Sequence, residues 1–179
     1  KEDFFKQYCQ VLYPDNVAEL VKSAHLALAE SARITRKIYG PTSDTIWEDP
    51  FSERALTIYS SHKEEIKKAR LMTEKAQIYL REAMKSDVDS VTLFSMFVGA
   101  KLLDYMTAKH LFAGRIADVH KEHQQQRDEQ KFRALMSETM SFFSSLSVDM
   151  HDMVVEAKGL FRKAWLNEYT DYRLEIAMA

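Results

Sequence analysis

The chain has 179 residues, a formal net charge of −2 at pH 7 and 46% hydrophobic residues. This size and composition predict one domain with a hydrophobic core, and the balanced charge excludes the basic surface that nucleic acid or an anionic membrane would attract. Cys9 is the only cysteine, which excludes an intramolecular disulfide and a cysteine-rich zinc site. No apolar run of about 18 residues is present, so we predict no membrane span.

The first 39 residues predict two helices. Apolar spacing predicts a short helix over residues 3–12 and a longer one that ends near Tyr39. Pro14 separates them, because proline disfavours helical geometry at the residue before it. Gly40, which is followed by a second proline, gives the longer helix a firm stop.

Residues 40–52 form the irregular stretch of the sequence and contain two of the three prolines. Loops carry binding residues more often than helices do, which makes Trp47 a candidate contact residue. The commoner explanation for a single tryptophan at such a position is that its indole fills the end of the helical bundle. The sequence therefore favours a buried Trp47 and leaves a contact role open.

The rest of the chain predicts long helices. From Phe51 to Ala179 there is no proline, and apolar residues recur every three to four positions. These patterns predict helices over about 53–86, over about 88–123 and from about residue 130 onward.

The middle helix is apolar on more than one side, which predicts that it lies at the centre of the fold. The last helix has an apolar seam with a period of about 3.5 residues, typical of left-handed bundle packing. The seam consists of Phe132, Met136, Thr139, Phe143, Leu146, Met150, Met153, Ala157, Leu160 and Ala164.

Together these patterns predict an all-α fold, an antiparallel bundle of about four to five long helices. We expect a single helical domain over residues 1–179, with the first helices at 1–39, the irregular loop at 40–52 and the long-helix bundle at 53–179. The chain starts at Lys1, and its last residues lack a helix stop signal. We therefore expect it to be a fragment of a larger protein.

The six histidines lack the spacing of known helical metal enzymes. None has a glutamate three residues before it, as a di-iron bundle requires, and no His-Glu-x-x-His motif is present. His120 and His123 could share a metal, but their polar neighbours favour surface positions at a helix end. His151 and Asp152 match the dipeptide of HD phosphohydrolases, yet Asp171 follows on the same predicted helix and cannot fold back to close that site. We therefore predict no metal, no cofactor and no catalytic residue in this chain.

Three parts of the sequence resemble a known enzyme family. They are Ile46–Ser52 with Ala69–Ala76, then Gly99–Tyr105 with Lys109 and Ala113–Ala117, and finally Arg162–Leu174. They resemble the helical region that follows the catalytic barrel in bacterial family 20 glycoside hydrolases, the β-N-acetylhexosaminidase type.

The resemblance implies a parent enzyme that removes terminal N-acetylhexosamine from glycans. In that family the substrate's own acetamido group attacks the anomeric carbon, and an Asp-Glu pair in the barrel supports the attack. A barrel needs eight strands and about 250 residues, so no catalytic residue is carried over to this chain. The implied role is a non-catalytic C-terminal domain that packs on the barrel and contacts glycan at most indirectly, in a periplasmic or secreted enzyme.

Aromatic side chains provide a candidate contact surface for that role, because they stack on sugars and anchor interfaces. The candidates are Trp47, Trp165, Tyr169, Tyr172 and Arg173. Two alternatives remain open. One is a four-helix sensor that binds a small ligand between its helices, and the other is an oligomerisation bundle that buries its seam between copies of the chain.

Overall fold

The computed structural model of the protein describes residues 2–40, 46–86, 88–125, 129–169 and 174. Within these ranges the chain forms five α-helices and no β-strand, which confirms the predicted all-α fold. The helices are α1 (Glu2–Leu12), α2 (Asp15–Tyr39), α3 (Glu53–Ala83), α4 (Ser90–Gln125) and α5 (Glu129–Glu168). The fourth helix continues beyond its predicted end at residue 123.

Local signals at the helix ends explain these boundaries. Gly40 follows α2 with a φ of 85°, and its N–H donates to the carbonyl oxygen of Arg36 at 3.0 Å. Glycine suits this left-handed conformation because it has no Cβ. Ser52 precedes α3, and its hydroxyl accepts a hydrogen bond from the N–H of Ala55 at 3.1 Å. The loop between these two signals therefore has defined ends.

Each helix packs mainly on the helices before and after it in sequence. Side-chain pairs show that α2, α3, α4 and α5 alternate in direction, so that neighbours among them run antiparallel. In each of these three interfaces there are two pairs, and the pair that comes second along one helix comes first along the next. The pairs are Glu30–Lys68 and Lys37–Glu65, Tyr59–Asp118 and Arg70–Asp104, and Lys101–Glu156 and His123–Thr139.

The hydrophobic core lies between α1, α2, α3 and α4. Small residues such as Ala24, Ala76 and Ala100 are fully buried and let the helices approach closely. Leu80 and Leu93, also fully buried, fill the space between them. Four helices therefore share one continuous core, and α4 contributes a large part of it, as its apolar pattern predicts.

A glycine sets the distance between α3 and α4. A Cβ on Gly114 would lie 2.2 Å from the ring of Tyr59, too close for any other residue at this position. The ring is also held from its far end, because the Tyr59 hydroxyl donates to Asp118 Oδ2 at 2.9 Å. The two helices therefore depend on a glycine here.

The fifth helix is less covered than the others. In the part of the chain that the structure describes, α5 packs closely on α4 alone. Thr139 and Ala157 are buried in the predicted seam, and most other described seam residues are partly buried. On the outward side, Val148 and Val155 are 59% and 56% exposed. The fourth helix thus lies between α3 and α5, which confirms its predicted central position.

Candidate functional site

A buried lysine holds the loop that precedes α3. Lys109 on α4 is only 6% exposed, and its ammonium donates to the carbonyl oxygens of Ile46 and Glu48 at 2.6 and 2.8 Å. Burial lowers the pKa of Lys109, while the carboxylates of Glu48 and Asp49 act in the opposite direction. One ammonium therefore fixes the backbone on both sides of Trp47.

The indole of Trp47 is itself accessible. Trp47 is 72% exposed, so the favoured prediction that it fills the end of the bundle is wrong. The loop is held by other contacts instead: the Arg54 guanidinium donates to Glu48 Oε1 at 2.6 Å and to the carbonyl oxygen of Tyr39 at 3.0 Å. Because the backbone is held this way, Trp47 needs no core contacts. Its role as a contact residue stays a prediction.

Two buried rings adjoin this loop. Tyr39 and His110 are 4% and 1% exposed, and their ring centroids are 4.8 Å apart. Burial raises the pKa of Tyr39, and the Glu48 carboxylate raises it further. The phenol is therefore neutral at physiological pH and acts as a packing group.

Residues from the resembling stretches hold α3 and α4 together. Asp104 is buried and accepts hydrogen bonds from Arg70 Nε at 3.0 Å and from Gln77 Nε2 at 3.1 Å. Arg70 belongs to the first stretch and Asp104 to the second. Lys109 joins the second stretch to the loop of the first, and Gly114 in the second stretch permits the close helix contact. These residues therefore have structural roles in this fold.

A groove lined by aromatic rings lies between the start of α4 and the end of α5. Its volume is about 300 Å³. Trp165 and Tyr169 form one side with their ring centroids 5.0 Å apart, and Phe161 continues the row 5.9 Å from Trp165. Gly99 leaves space on the other side, since no atom lies within 4 Å of where its Cβ would be. The remaining lining residues are Ser95, Val98, Leu102, Ala164 and Glu168.

The predicted contact residues divide between these two sites. Trp165 and Tyr169 come together in the aromatic groove. Trp47 lies on the loop held by Lys109. Lys109 follows Gly99 by ten residues on α4, so the two sites are about 15 Å apart along the helix axis. The other two candidates, Tyr172 and Arg173, lie outside the described residues.

Three residues of these sites are missing from the predicted contact surface. Lys109 carries a signal in the sequence, because it is a cation within a strongly apolar part of the central helix. Gly99 and Glu168 carry no such signal, because they meet only when α4 and α5 pack together. Sequence periodicity alone therefore could not identify the groove.

A second space between α4 and α5 contains a buried histidine. His123 is 9% exposed, and its Nε2 lies 3.2 Å from the hydroxyl oxygen of Thr139. The predicted surface position of His123 is therefore wrong, because α4 continues past it and α5 covers this turn. A cavity of about 450 Å³ adjoins the pair and is lined mainly by apolar side chains of both helices. His120, by contrast, is exposed.

The other motifs form no metal centre in the described ranges. His151 and Asp152 are exposed on α5, and Asp171 lies outside the described residues. Among the described residues, no group of three His, Cys, Asp or Glu side chains could hold a metal ion. None of the described helices combines the length and the apolar character needed to cross a membrane.

Comparison of the chain with protein-family models gave no match, and comparison with curated proteins and with solved structures gave none either. The resemblance to family 20 glycoside hydrolases therefore stays a prediction that rests on the three stretches. What bears on function is how those stretches are arranged in space.

Proposed function

We propose that the protein is a non-catalytic helical domain of a β-N-acetylhexosaminidase-like glycoside hydrolase, packed on or beside the catalytic barrel. The observation that carries this proposal is that the second resembling stretch contacts the first and lines a groove with the third. Lys109 joins the second stretch to the first, and Trp165 of the third lines a groove with Gly99 of the second. Sequence features that specify one fold are expected to support one another in this way.

The outward side of α5 is the proposed surface for the barrel. Val148 and Val155 are more than half exposed there, and a packed partner would remove this apolar area from water. The held loop with Trp47 provides a second, smaller contact. Under this proposal the domain touches glycan at most indirectly, at the edge of the barrel's cleft.

An activity assay tests the non-catalytic part of the proposal. The purified chain is incubated with an aryl N-acetyl-β-glucosaminide and with chitobiose, and product release is measured. We expect no turnover above the buffer control. Turnover that persists through further purification would contradict the proposal.

The coding sequence upstream of Lys1 tests the parent enzyme. We expect about 250 residues of alternating strands and helices that include an Asp-Glu pair. A transmembrane run in that position would instead favour the sensor alternative.

A matched pair of substitutions in the parent enzyme tests the packing surface. Val155→Lys on α5 should lower the melting temperature of the parent, because it places a charge in the interface with the barrel. Val11→Lys on α1, where Val11 is 84% exposed, should leave it unchanged. Neither change should alter the melting temperature of the chain alone. Equal effects of both changes on the parent would exclude α5 as the barrel surface.

The alternative of a ligand-binding module is favoured by one observation, the cavity of about 450 Å³ next to His123 and Thr139. Its size lies within the range of small-molecule sites. A nuclear magnetic resonance titration with indole as an apolar probe would test it. Saturable shifts confined to the residues around Thr139 would support binding there, whereas shifts scattered over the surface would speak against it.

A further inference from the structure

The aromatic groove has an electrostatic character of its own. Phe161, Trp165 and Tyr169 are spaced four residues apart, so their rings follow one side of α5. The successive ring planes are inclined by 43° and 41°. The faces of aromatic rings carry negative potential, which attracts cations.

A carboxylate completes the groove. Glu168 lies at its edge, and one of its oxygens, Oε1, accepts a hydrogen bond from the Ser95 hydroxyl. That bond orients the carboxylate and leaves its Oε2 oxygen available to a ligand. Among the described residues, the lining contains no Lys, Arg or His, and Glu168 forms no ion pair with a basic side chain. No described residue therefore neutralises the negative charge within the groove.

The space in the groove is suited to a compact ligand. Gly99 is exposed, and the position of its absent side chain is open. Val98 and Leu102 provide apolar surface beside it. A volume of about 300 Å³ lies at the small end of the range for ligand sites. The site thus combines apolar walls, ring faces and one carboxylate.

We infer that this groove binds a small organic cation with an apolar shell, of the alkylammonium or trimethylammonium class. The cationic group contacts the faces of Trp165 and Tyr169, and the Glu168 carboxylate provides the opposite charge. The alkyl part occupies the space over Gly99. A neutral sugar could also stack on the rings and donate a hydroxyl hydrogen bond to Glu168, but only a cation gains the direct attraction between opposite charges. The inference does not depend on the glycosidase proposal.

Choline and 3,3-dimethylbutan-1-ol form a matched pair of probes, because they have the same shape and differ in the positive charge. The chain has two tryptophans, so a Trp47→Phe background makes Trp165 the only fluorescent indole. We expect choline to give a saturable change in Trp165 fluorescence, and the neutral alcohol to bind about fivefold to tenfold more weakly. Equal affinity for the two probes, or no saturable change with choline, would overturn the inference.

Variants place the binding in the groove. Glu168→Gln should weaken choline binding about fivefold to tenfold, and Gly99→Leu should abolish it by filling the space. Glu156→Gln is the control, because Glu156 pairs with Lys101 at 2.7 Å outside the groove lining, and it should leave the affinity unchanged. Circular dichroism checks that each variant is folded. Unchanged affinity in a folded Glu168→Gln variant would overturn the inference, as would tighter binding of N-acetylglucosamine than of choline.

Discussion

The third and fifth helices both have apolar residues at helical spacing but differ in how well these residues are covered. In α3, apolar residues such as Ile66, Ala69 and Leu80 are fully buried, because α2 packs on one side of the helix and α4 on the other. In α5, the seam meets α4 alone, and Val148 and Val155 on the outward side remain exposed. Apolar periodicity therefore identifies the inner face of a helix but does not tell how many neighbouring helices cover it.

The largest difference is expected from truncating a leucine in each region. Leu80→Ala removes a fully buried side chain and should lower the free energy of unfolding by about 3–5 kcal/mol. Leu146→Ala in the α5 seam, where the leucine is partly buried, should cost about 1 kcal/mol. Urea unfolding monitored by circular dichroism measures both. Equal losses would mean that α5 is covered as completely as the core helices.

Two helical glycines, one in each region, test the same difference in coverage. Gly114→Ala on α4 places a methyl group against the Tyr59 ring and should destabilise the protein by about 1–3 kcal/mol. Gly159→Ala on α5, where no atom lies within 4 Å of the new Cβ, should stabilise it by about 0.5–1 kcal/mol, because alanine favours the helix. The same urea unfolding applies. A gain in stability at Gly114 would contradict the close contact.

The buried lysine should matter more for loop mobility than for global stability. Lys109→Met removes the ammonium that holds the loop but also removes the cost of burying a charge, so the free energy of unfolding should change by less than about 1 kcal/mol. In a Trp165→Phe background, however, Trp47 should lose fluorescence anisotropy, because its flanking carbonyls are no longer held. Unchanged anisotropy would show that Arg54 and the Ser52 cap suffice to fix the loop.

The smallest expected effect is a pH dependence of the contact between α1 and α2. The imidazole of His25 stacks on Phe5 with ring centroids 5.0 Å apart, and burial lowers the pKa of His25 below its usual value. The unfolded chain therefore binds the proton more readily, and stability should fall as the pH drops below about 6.5. His25→Gln should reduce the decline in unfolding free energy between pH 7.5 and 5.5. His151→Gln, at an exposed histidine of α5, serves as the control substitution.

Much of the fold could be predicted from the sequence because helix signals are local. Pro14, Gly40 and Ser52 mark helix boundaries through their own backbone and side-chain geometry. Apolar spacing also identified α4 as central. These inferences need only neighbours within about one or two helical turns, which a sequence displays directly.

The parts that could not be predicted depend on contacts between helices. The polar neighbours of His123 predict a surface position at a helix end, but α5 packs over His123 and buries it against Thr139. A single tryptophan in this loop predicts a buried ring. Lys109 instead holds the loop through backbone carbonyls, whose contacts cannot be seen in the sequence. The aromatic groove likewise exists only between two helices that meet in the folded chain.

The burial of Cys9 has a practical consequence for measuring these two regions. Cys9 is the only cysteine. It is fully buried between α1 and its neighbours, and burial raises the pKa of its thiol. A thiol reagent should therefore react with the natural chain only when α1 separates from the core, so the labelling rate reports that opening. A cysteine introduced at an exposed position such as Val155 should react at once. One protein would then react slowly at Cys9 and rapidly at position 155. The two labelling rates would report on the two regions separately in the same sample.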